Sequence, residues 1–221
     1  MPDIFDEVSE DLRAERAQQM LKKYGGLLVA AAALVLAGTG AWQGWQWHQS
    51  REAARVATTY INALRAADRP APAEREAALP LLGQVVAEGG GAYRALARLR
   101  EAALKADSGD MAAALALYSQ VATDGAADPL LRDLASYYWA IRQIETGDPA
   151  LLTARLAPLA GPDHPLRALA AEAQALVALR EGKADAARET LKRLSLDVTA
   201  PDGVRGRANG LLAQLGGSAA P

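Results

Sequence analysis

The stretch DPLLRDLASYYWAIRQIETGD (residues 128–148) decides the fold, because later stretches repeat its pattern. The repeats are HPLRALAAEAQALVALREGKAD (164–185) and APDGVRGRANGLLAQLGG (200–217), and the prolines of the three, Pro129, Pro165 and Pro201, are 36 residues apart. GAYRALARLREAALKADSGD (91–110) lacks the proline but ends in the same way. Proline suits the first turn of a helix and glycine suits its end. Each stretch therefore predicts one helix.

A second helix is expected after each of the glycines at 109, 147 and 182. The three segments are DMAAALALYSQVATD, DPALLTARLAPLA and KADAARETLKRLSLD, and each has apolar residues at helical spacing. These stripes consist of Ala114, Tyr118 and Val121; Leu152, Leu156 and Leu159; and Ala187, Leu191 and Leu194. One helix pair cannot bury such a stripe alone, so the pairs are predicted to stack into an α-solenoid.

The arrangement resembles the tetratricopeptide repeat, which has a small residue in its first helix, a glycine turn, and alanine and large apolar residues in its second helix. The matching positions are Gly109, Ala114 and Tyr118 in the first unit; Ala140, Gly147, Leu156 and Pro165 in the second; and Ala175, Gly182, Ala187, Leu191 and Pro201 in the third. This resemblance implies a helical-hairpin solenoid.

Composition supports an all-α fold and excludes several classes of function. Alanine and leucine, the best helix formers, dominate the apolar residues, and Phe5 is the only phenylalanine. The net charge of −2 gives no basic surplus for binding nucleic acid. The absence of cysteine excludes disulfides, thiolate catalysis and cysteine metal sites.

The segment 24–50 (YGGLLVAAAALVLAGTGAWQGWQWHQS) has no charged residue, and about 20 residues of helix cross a bilayer. A cleaved signal peptide and a buried helix of a soluble domain are the alternatives. The long acidic lead-in argues against a signal peptide. Tyr24 at one end and Trp42, Trp45 and Trp47 at the other are typical of membrane interfaces. A retained transmembrane helix is predicted.

Four basic residues (Arg13, Arg16, Lys22 and Lys23) precede the span, and three (Arg51, Arg55 and Arg65) follow it within a comparable distance, which favours a cytoplasmic N-terminus and a periplasmic body. Gly40 and Gly44 form a small-xxx-small pair that would let another membrane helix approach, although glycine is also ordinary in a span. The sequence thus divides into a cytoplasmic segment (1–23), the transmembrane helix and interface (24–50), a helical hairpin (51–91), repeats with a capping helix (92–217) and a flexible tail (218–221).

In the hairpin, helices are expected over 51–67 and 76–87, separated by a turn over 69–74. Pro80 either kinks the second of these helices or starts it. The glycines of 88–92 end the hairpin. In the N-terminal segment, Phe5, Val8 and Leu12 lie at amphipathic spacing, which suits either a surface helix or a solvated tail.

No pattern of reactive residues predicts an enzyme. His48 and His164 have no second ligand nearby in the sequence, so no metal site is predicted. Asp163 beside His164 is read as part of a solvated turn. No phosphate loop, dinucleotide fingerprint or hydrolase motif occurs, so no catalytic residue, cofactor or small-molecule substrate is expected.

The aromatic run SYYWAIRQ (136–143) is the candidate binding surface. Trp139 is expected to pack between helices, whereas Tyr137 and Ile141 are expected to face a groove and contact a partner. Filling of the core between repeats is the alternative role for these side chains.

The whole layout, with its acidic N-terminal segment (EVSEDLRAERAQQMLKKYG), tryptophan-edged span and degenerate repeats, resembles the ancillary SecYEG translocon subunit family of inner-membrane proteins. That resemblance implies a protein-interaction scaffold anchored in a bacterial inner membrane. Its partners would be translocon subunits, periplasmic chaperones or exported polypeptides. The alternative is an envelope organiser in cell-wall synthesis, cell division or outer-membrane assembly.

Overall fold

A computed structural model describes the backbone of residues 4–216, and in this range it contains ten α-helices and no strand. Side chains are described from Lys22 onward, apart from those of residues 24, 25, 27, 28, 31–33 and 217–221. The all-α prediction is confirmed. The helices are α1 (Ile4–Ala67), α2 (Pro72–Glu76), α3 (Ala78–Glu88), α4 (Gly91–Asp107), α5 (Met111–Thr123), α6 (Pro129–Ile141), α7 (Pro149–Leu156), α8 (Arg167–Arg180), α9 (Ala184–Leu196) and α10 (Asp202–Gln214).

The chain divides into two compact units, Met1–Arg55 and Val56–Pro221. In the first unit α1 exposes large apolar side chains, among them Leu34, Trp42 and Trp45, each at least 70% exposed. Within the described residues, no helix combines the length and hydropathy needed to cross a membrane, so the predicted transmembrane helix is not confirmed. Five side chains of residues 27–33 lie outside the description, as do those of Phe5, Val8 and Leu12.

The second unit is a row of helix pairs in which each helix packs on the next along the chain. The first helices of successive pairs also touch, since α4 contacts α6, α6 contacts α8 and α8 contacts α10. Four clusters of buried side chains follow in order: α1–α3–α4, α4–α5–α6, α6–α7–α8 and α8–α9–α10. All nine residues of the three predicted stripes are buried. The core is therefore shared only between neighbouring pairs.

Aspartates begin three of the helices. Asp110, Asp128 and Asp148 each accept a hydrogen bond from a backbone N–H in the first turn of α5, α6 and α7, at 3.2, 2.8 and 2.9 Å. Pro129 and Pro149 follow two of these caps at the first helical position, where the missing N–H costs nothing. The Asp-Pro pairs thus fix where these helices start.

Two of the three predicted glycine stops have the left-handed backbone that glycine favours. Gly109 has φ +89° and Gly182 has φ +76°, and each ends the first helix of a pair. Gly147 does not have a positive φ. The chain turns before it, and a Cβ at Gly147 would lie 3.0 Å from the Gln143 carbonyl oxygen, so close approach is the reason for glycine there.

Replacing Gly109 by alanine is expected to lower the free energy of unfolding by about 1 kcal/mol, because a Cβ is disfavoured at this φ. Gly206→Ala is the matched control. Gly206 lies inside α10, and a Cβ at this position would meet nothing within 4 Å, so alanine there should stabilise by about 0.5–1 kcal/mol. Urea unfolding followed by circular dichroism measures both changes, and equal effects of the same sign would contradict the assignment.

Arginines tie neighbouring pairs together at nearly constant sequence separation. Arg142 pairs with Asp107 at 3.5 Å and Arg207 with Glu172 at 2.6 Å, each 35 residues apart. Arg180 donates to the Ile144 carbonyl at 2.7 Å, 36 residues away. Arg100 pairs with Asp68, the residue after α1. These contacts repeat because the helix pairs repeat.

Two local predictions are corrected, and one open alternative is decided. The predicted turn over 69–74 is only partly a turn, since α2 begins at Pro72. Pro80 lies in the first turn of α3, where proline is tolerated, so it marks a helix start and not a kink. The predicted second helix of the middle unit is short, because α7 stops at Leu156 and a 3₁₀ turn (Ala157–Ala160) containing Pro158 follows.

Candidate protein-docking groove

An open groove runs across the first helices of three successive pairs, α6, α8 and α10. The residues that line it are Tyr137, Ile141, Glu172, Leu176, Arg207, Gly210, Leu211 and Gln214. Both predicted partner-contact residues, Tyr137 and Ile141, lie in it, and both are partly buried. We call this surface the three-helix groove.

Six of the eight lining residues form two rows, because equivalent positions in the three helices are 35 residues apart. Tyr137, Glu172 and Arg207 make the polar row. One helical turn further on, Ile141, Leu176 and Leu211 make the apolar row. Each helix therefore supplies one residue to each row.

Glu172 is the anchor of the polar row. It is 5% exposed, and among the described residues it is the charged residue whose side chain is buried. Arg207 donates to both of its carboxylate oxygens, from Nε and Nη2, at 2.6 Å each. A bidentate pair of this kind satisfies a carboxylate that would otherwise be costly to bury. The hydrogen bond to Glu172 raises the pKa of Arg207, so the guanidinium stays charged.

Arg207 also faces solvent, because its side chain is 56% exposed whereas that of Glu172 is 6% exposed. Its Nη1 atom lies 3.4 Å from where a Cβ of Gly203 would stand, so glycine leaves space for the guanidinium. Burial raises the pKa of Tyr137, and the Glu172 carboxylate raises it further. The Tyr137 hydroxyl is thus a neutral donor beside a charged pair.

The neighbouring aromatic residues have structural roles. Trp139 packs against two successive core clusters, and the Arg155 guanidinium lies 4.2 Å from its ring centroid. The ring of Tyr138 is 5.7 Å from the rings of both Tyr118 and Tyr137. Trp139 therefore packs between helices as predicted. Tyr137 and Ile141 line the three-helix groove and also pack against the α6–α7–α8 cluster, so the alternative core-filling role applies to them as well.

Sequence reasoning missed six of the eight lining residues, and four of those six are Glu172, Leu176, Arg207 and Leu211. Each lies 35 or 70 residues after Tyr137 or Ile141. Carrying the two candidate positions forward by one repeat and by two repeats would have found all four. A single polar residue or leucine in an amphipathic helix gives no such signal by itself.

The other candidates are not brought together. A Cβ at Gly40 or Gly44 would meet nothing within 4 Å, so both glycines are open, and their role in membrane packing stays a prediction.

His164 does not act with its neighbour Asp163. Its Nε2 lies 3.1 Å from Asp133, and its Nδ1 accepts the Leu166 N–H at 3.0 Å, which ties the start of α8 to α6.

The residues that line the three-helix groove include no histidine, serine or lysine. Within the part of the chain that the structure describes, no three carboxylate or histidine side chains are placed to hold a metal ion. The groove has a neutral tyrosine, a closed ion pair and aliphatic side chains, which suit contact with a peptide.

Comparison with known families agrees with this geometry. A family model described as a tetratricopeptide repeat-like domain matches residues 18–195, which is most of the chain. The chain belongs to the tetratricopeptide repeat-like family. Domains of this tetratricopeptide repeat-like kind are typically non-catalytic modules that bind other proteins, which indicates the same role here. No curated protein and no solved structure matches the chain. The family match says nothing about the translocon, so that resemblance is not confirmed.

Proposed function

We propose that this tetratricopeptide repeat-like protein is a docking module that holds a segment of a partner protein in the three-helix groove. The observation that supports this most is the pair of rows, in which three helices present one polar and one apolar residue each. Repeated positions of this kind favour a repetitive ligand such as a polypeptide.

The spacing of the rows suggests how a peptide would lie. Packed helices are about 8–10 Å apart, and an extended chain rises about 3.3 Å per residue. A segment crossing α6, α8 and α10 would therefore place about every third residue over one helix. Its apolar side chains would contact Ile141, Leu176 and Leu211, and its carbonyl oxygens would accept from Tyr137 and Arg207.

We further propose that residues 24–50 anchor the module in a membrane. The support is the exposed apolar surface of α1, which includes Val29, Val35, Leu36 and Trp47, each more than half exposed. Exposed apolar surface of this extent needs a covering phase or partner. The charge bias around the segment favours a cytoplasmic N-terminus and a periplasmic body in the bacterial inner membrane.

In that setting the module would assist Sec-dependent export or recruit periplasmic chaperones. Translocon subunits, chaperones or exported chains would be the docked proteins. Crosslinking followed by purification of the full chain tests this. Reproducible recovery of such proteins supports the export role, whereas recovery of cell-wall or division proteins supports the envelope-organiser alternative. Alkaline phosphatase fused to the C-terminus should be active, and activity of only a cytoplasmic reporter would overturn the orientation.

The double substitution Tyr137→Ala and Ile141→Ala is expected to weaken partner binding on the order of 30-fold, because an aromatic anchor and its apolar neighbour are lost from the groove. Titration of the crosslinked partner against the purified full chain measures the change. Leu151→Ala is the matched control, since Leu151 is 52% exposed on α7 and does not line the groove. Equal loss in both variants would contradict docking in the three-helix groove.

A further inference from the structure

A second pocket, of about 160 Å³, lies where α2 and the start of α3 meet the end of α4. Its apolar wall consists of Pro72, Leu79 and Leu104. Its polar lining consists of Arg75, Glu76, Lys105, Asp107 and Ser108. The three-helix groove uses none of these residues, so this is a separate site.

Arg75 is the unusual residue of this pocket. Its Nε atom is buried and has no hydrogen-bond partner within the described residues, and the side chain forms no ion pair with any of them. A buried donor without an acceptor is costly to the folded protein. The Nε atoms of Arg100 and Arg132 are also buried without partners, but neither residue lines the pocket, and Arg100 pairs with Asp68.

The two carboxylates that line the pocket do not pair with Arg75, so its guanidinium can donate to a ligand. Asp107 pairs with Arg142 at 3.5 Å, and Glu76 is exposed to solvent. Lys105 contributes a second positive charge, and its closest carboxylate oxygen, from Asp110, is 4.0 Å away. The pocket therefore holds two weakly engaged cations beside an aliphatic wall.

We infer that this pocket binds a small organic carboxylate with a short aliphatic chain. The carboxylate would accept from Arg75, with Lys105 as the second cation, and the chain would contact Leu79 and Leu104. A volume of about 160 Å³ equals that of about five liquid waters, which suits an acid of about four carbons. The ligand would be bound and released unchanged, since the Ser108 hydroxyl donates to the Lys105 carbonyl oxygen at 3.0 Å and no histidine lines the pocket to activate it.

Calorimetric titration of the full chain with butyrate tests the inference. Saturable binding is expected with a Kd on the order of millimolar, as befits a ligand of this size. Butanol and butylammonium, which have the same chain without the negative charge, are expected to bind at least about tenfold more weakly. Equal binding of butanol, or no saturable butyrate binding below about 10 mM, would overturn the site.

Arg75→Met supplies the second arm, and Arg69→Met is the matched control at an exposed arginine close by in the sequence. Butyrate affinity should fall at least about tenfold in Arg75→Met and stay unchanged in Arg69→Met. Without ligand, Arg75→Met should raise the melting temperature, because the unpaired buried donor is removed. A lower melting temperature, or unchanged butyrate affinity, would assign Arg75 a structural role only. Partner binding in the three-helix groove is measured separately and should not change.

Discussion

Replacing Tyr118 by alanine is expected to lower the free energy of unfolding by about 4 kcal/mol, the largest loss from a single substitution in this protein. Tyr118 is the largest fully buried side chain of the described residues, at 1% exposure. It lies in the α4–α5–α6 cluster with Val121 and Ala135, and its neighbours are mostly alanines, which cannot extend into the gap. Truncation therefore removes a large apolar contact and leaves a cavity.

Tyr118→Phe is the control that separates the ring from the hydroxyl. Burial raises the pKa of Tyr118, and the charge of the Arg142 guanidinium partly offsets this rise. Phenylalanine keeps the packing, so its cost should be about 1 kcal/mol. Urea unfolding of both variants gives the comparison. A loss below about 1.5 kcal/mol in Tyr118→Ala would show that the helices close around the gap.

Replacing Arg207 by leucine is expected to cost about 2 kcal/mol, because Glu172 then keeps a buried carboxylate without its partner. The exposed Arg207 side chain lets water approach, so the loss should lie below that of a fully buried pair. Adding Glu172→Leu to this variant should restore most of the stability, since both charges are then gone. Urea unfolding of the single and double variants measures the coupling.

Arg205→Leu is the matched control on the same helix. Arg205 pairs with Asp202, whose side chain is 92% exposed, so this substitution should cost less than about 0.5 kcal/mol. If Arg205→Leu and Arg207→Leu had the same effect, the burial of Glu172 would not matter to stability. If the double variant were less stable than Arg207→Leu, the pair would contribute through its shape and not through its charge.

The second helices of the repeats were predictable from the sequence, because their stripes are read from local spacing alone. Leu191 and Leu194 lie on one helical face whatever the rest of the chain does. The loop before Gly147 was not predictable in the same way. Gly147 has the spacing of Gly109 and Gly182, but the chain turns earlier, and only the contact with Gln143 explains the glycine.

The sequence predicted only part of the candidate site, because some of its residues are recognised by local pattern and others only by their contacts. Tyr137 and Ile141 are large apolar residues in an aromatic run, and both lie in the three-helix groove. Glu172 could not be predicted from the sequence, because a carboxylate in an amphipathic helix is usually solvated. Its burial depends on its pairing with Arg207, 35 residues away. The missing partner of Arg75 can only be recognised once its surroundings are known.

The four core clusters, each confined to neighbouring helix pairs, have a consequence for how such a chain changes in length. A duplicated block of about 35 residues could be inserted between two pairs and meet the same contacts on both sides. We expect α10 to cap the row, because exposed positions such as Gly206 and Asn209 carry no large apolar side chain for a further pair to cover. The number of residues in each row of the groove, and so the length of segment that it accepts, is set by where that polar helix is placed.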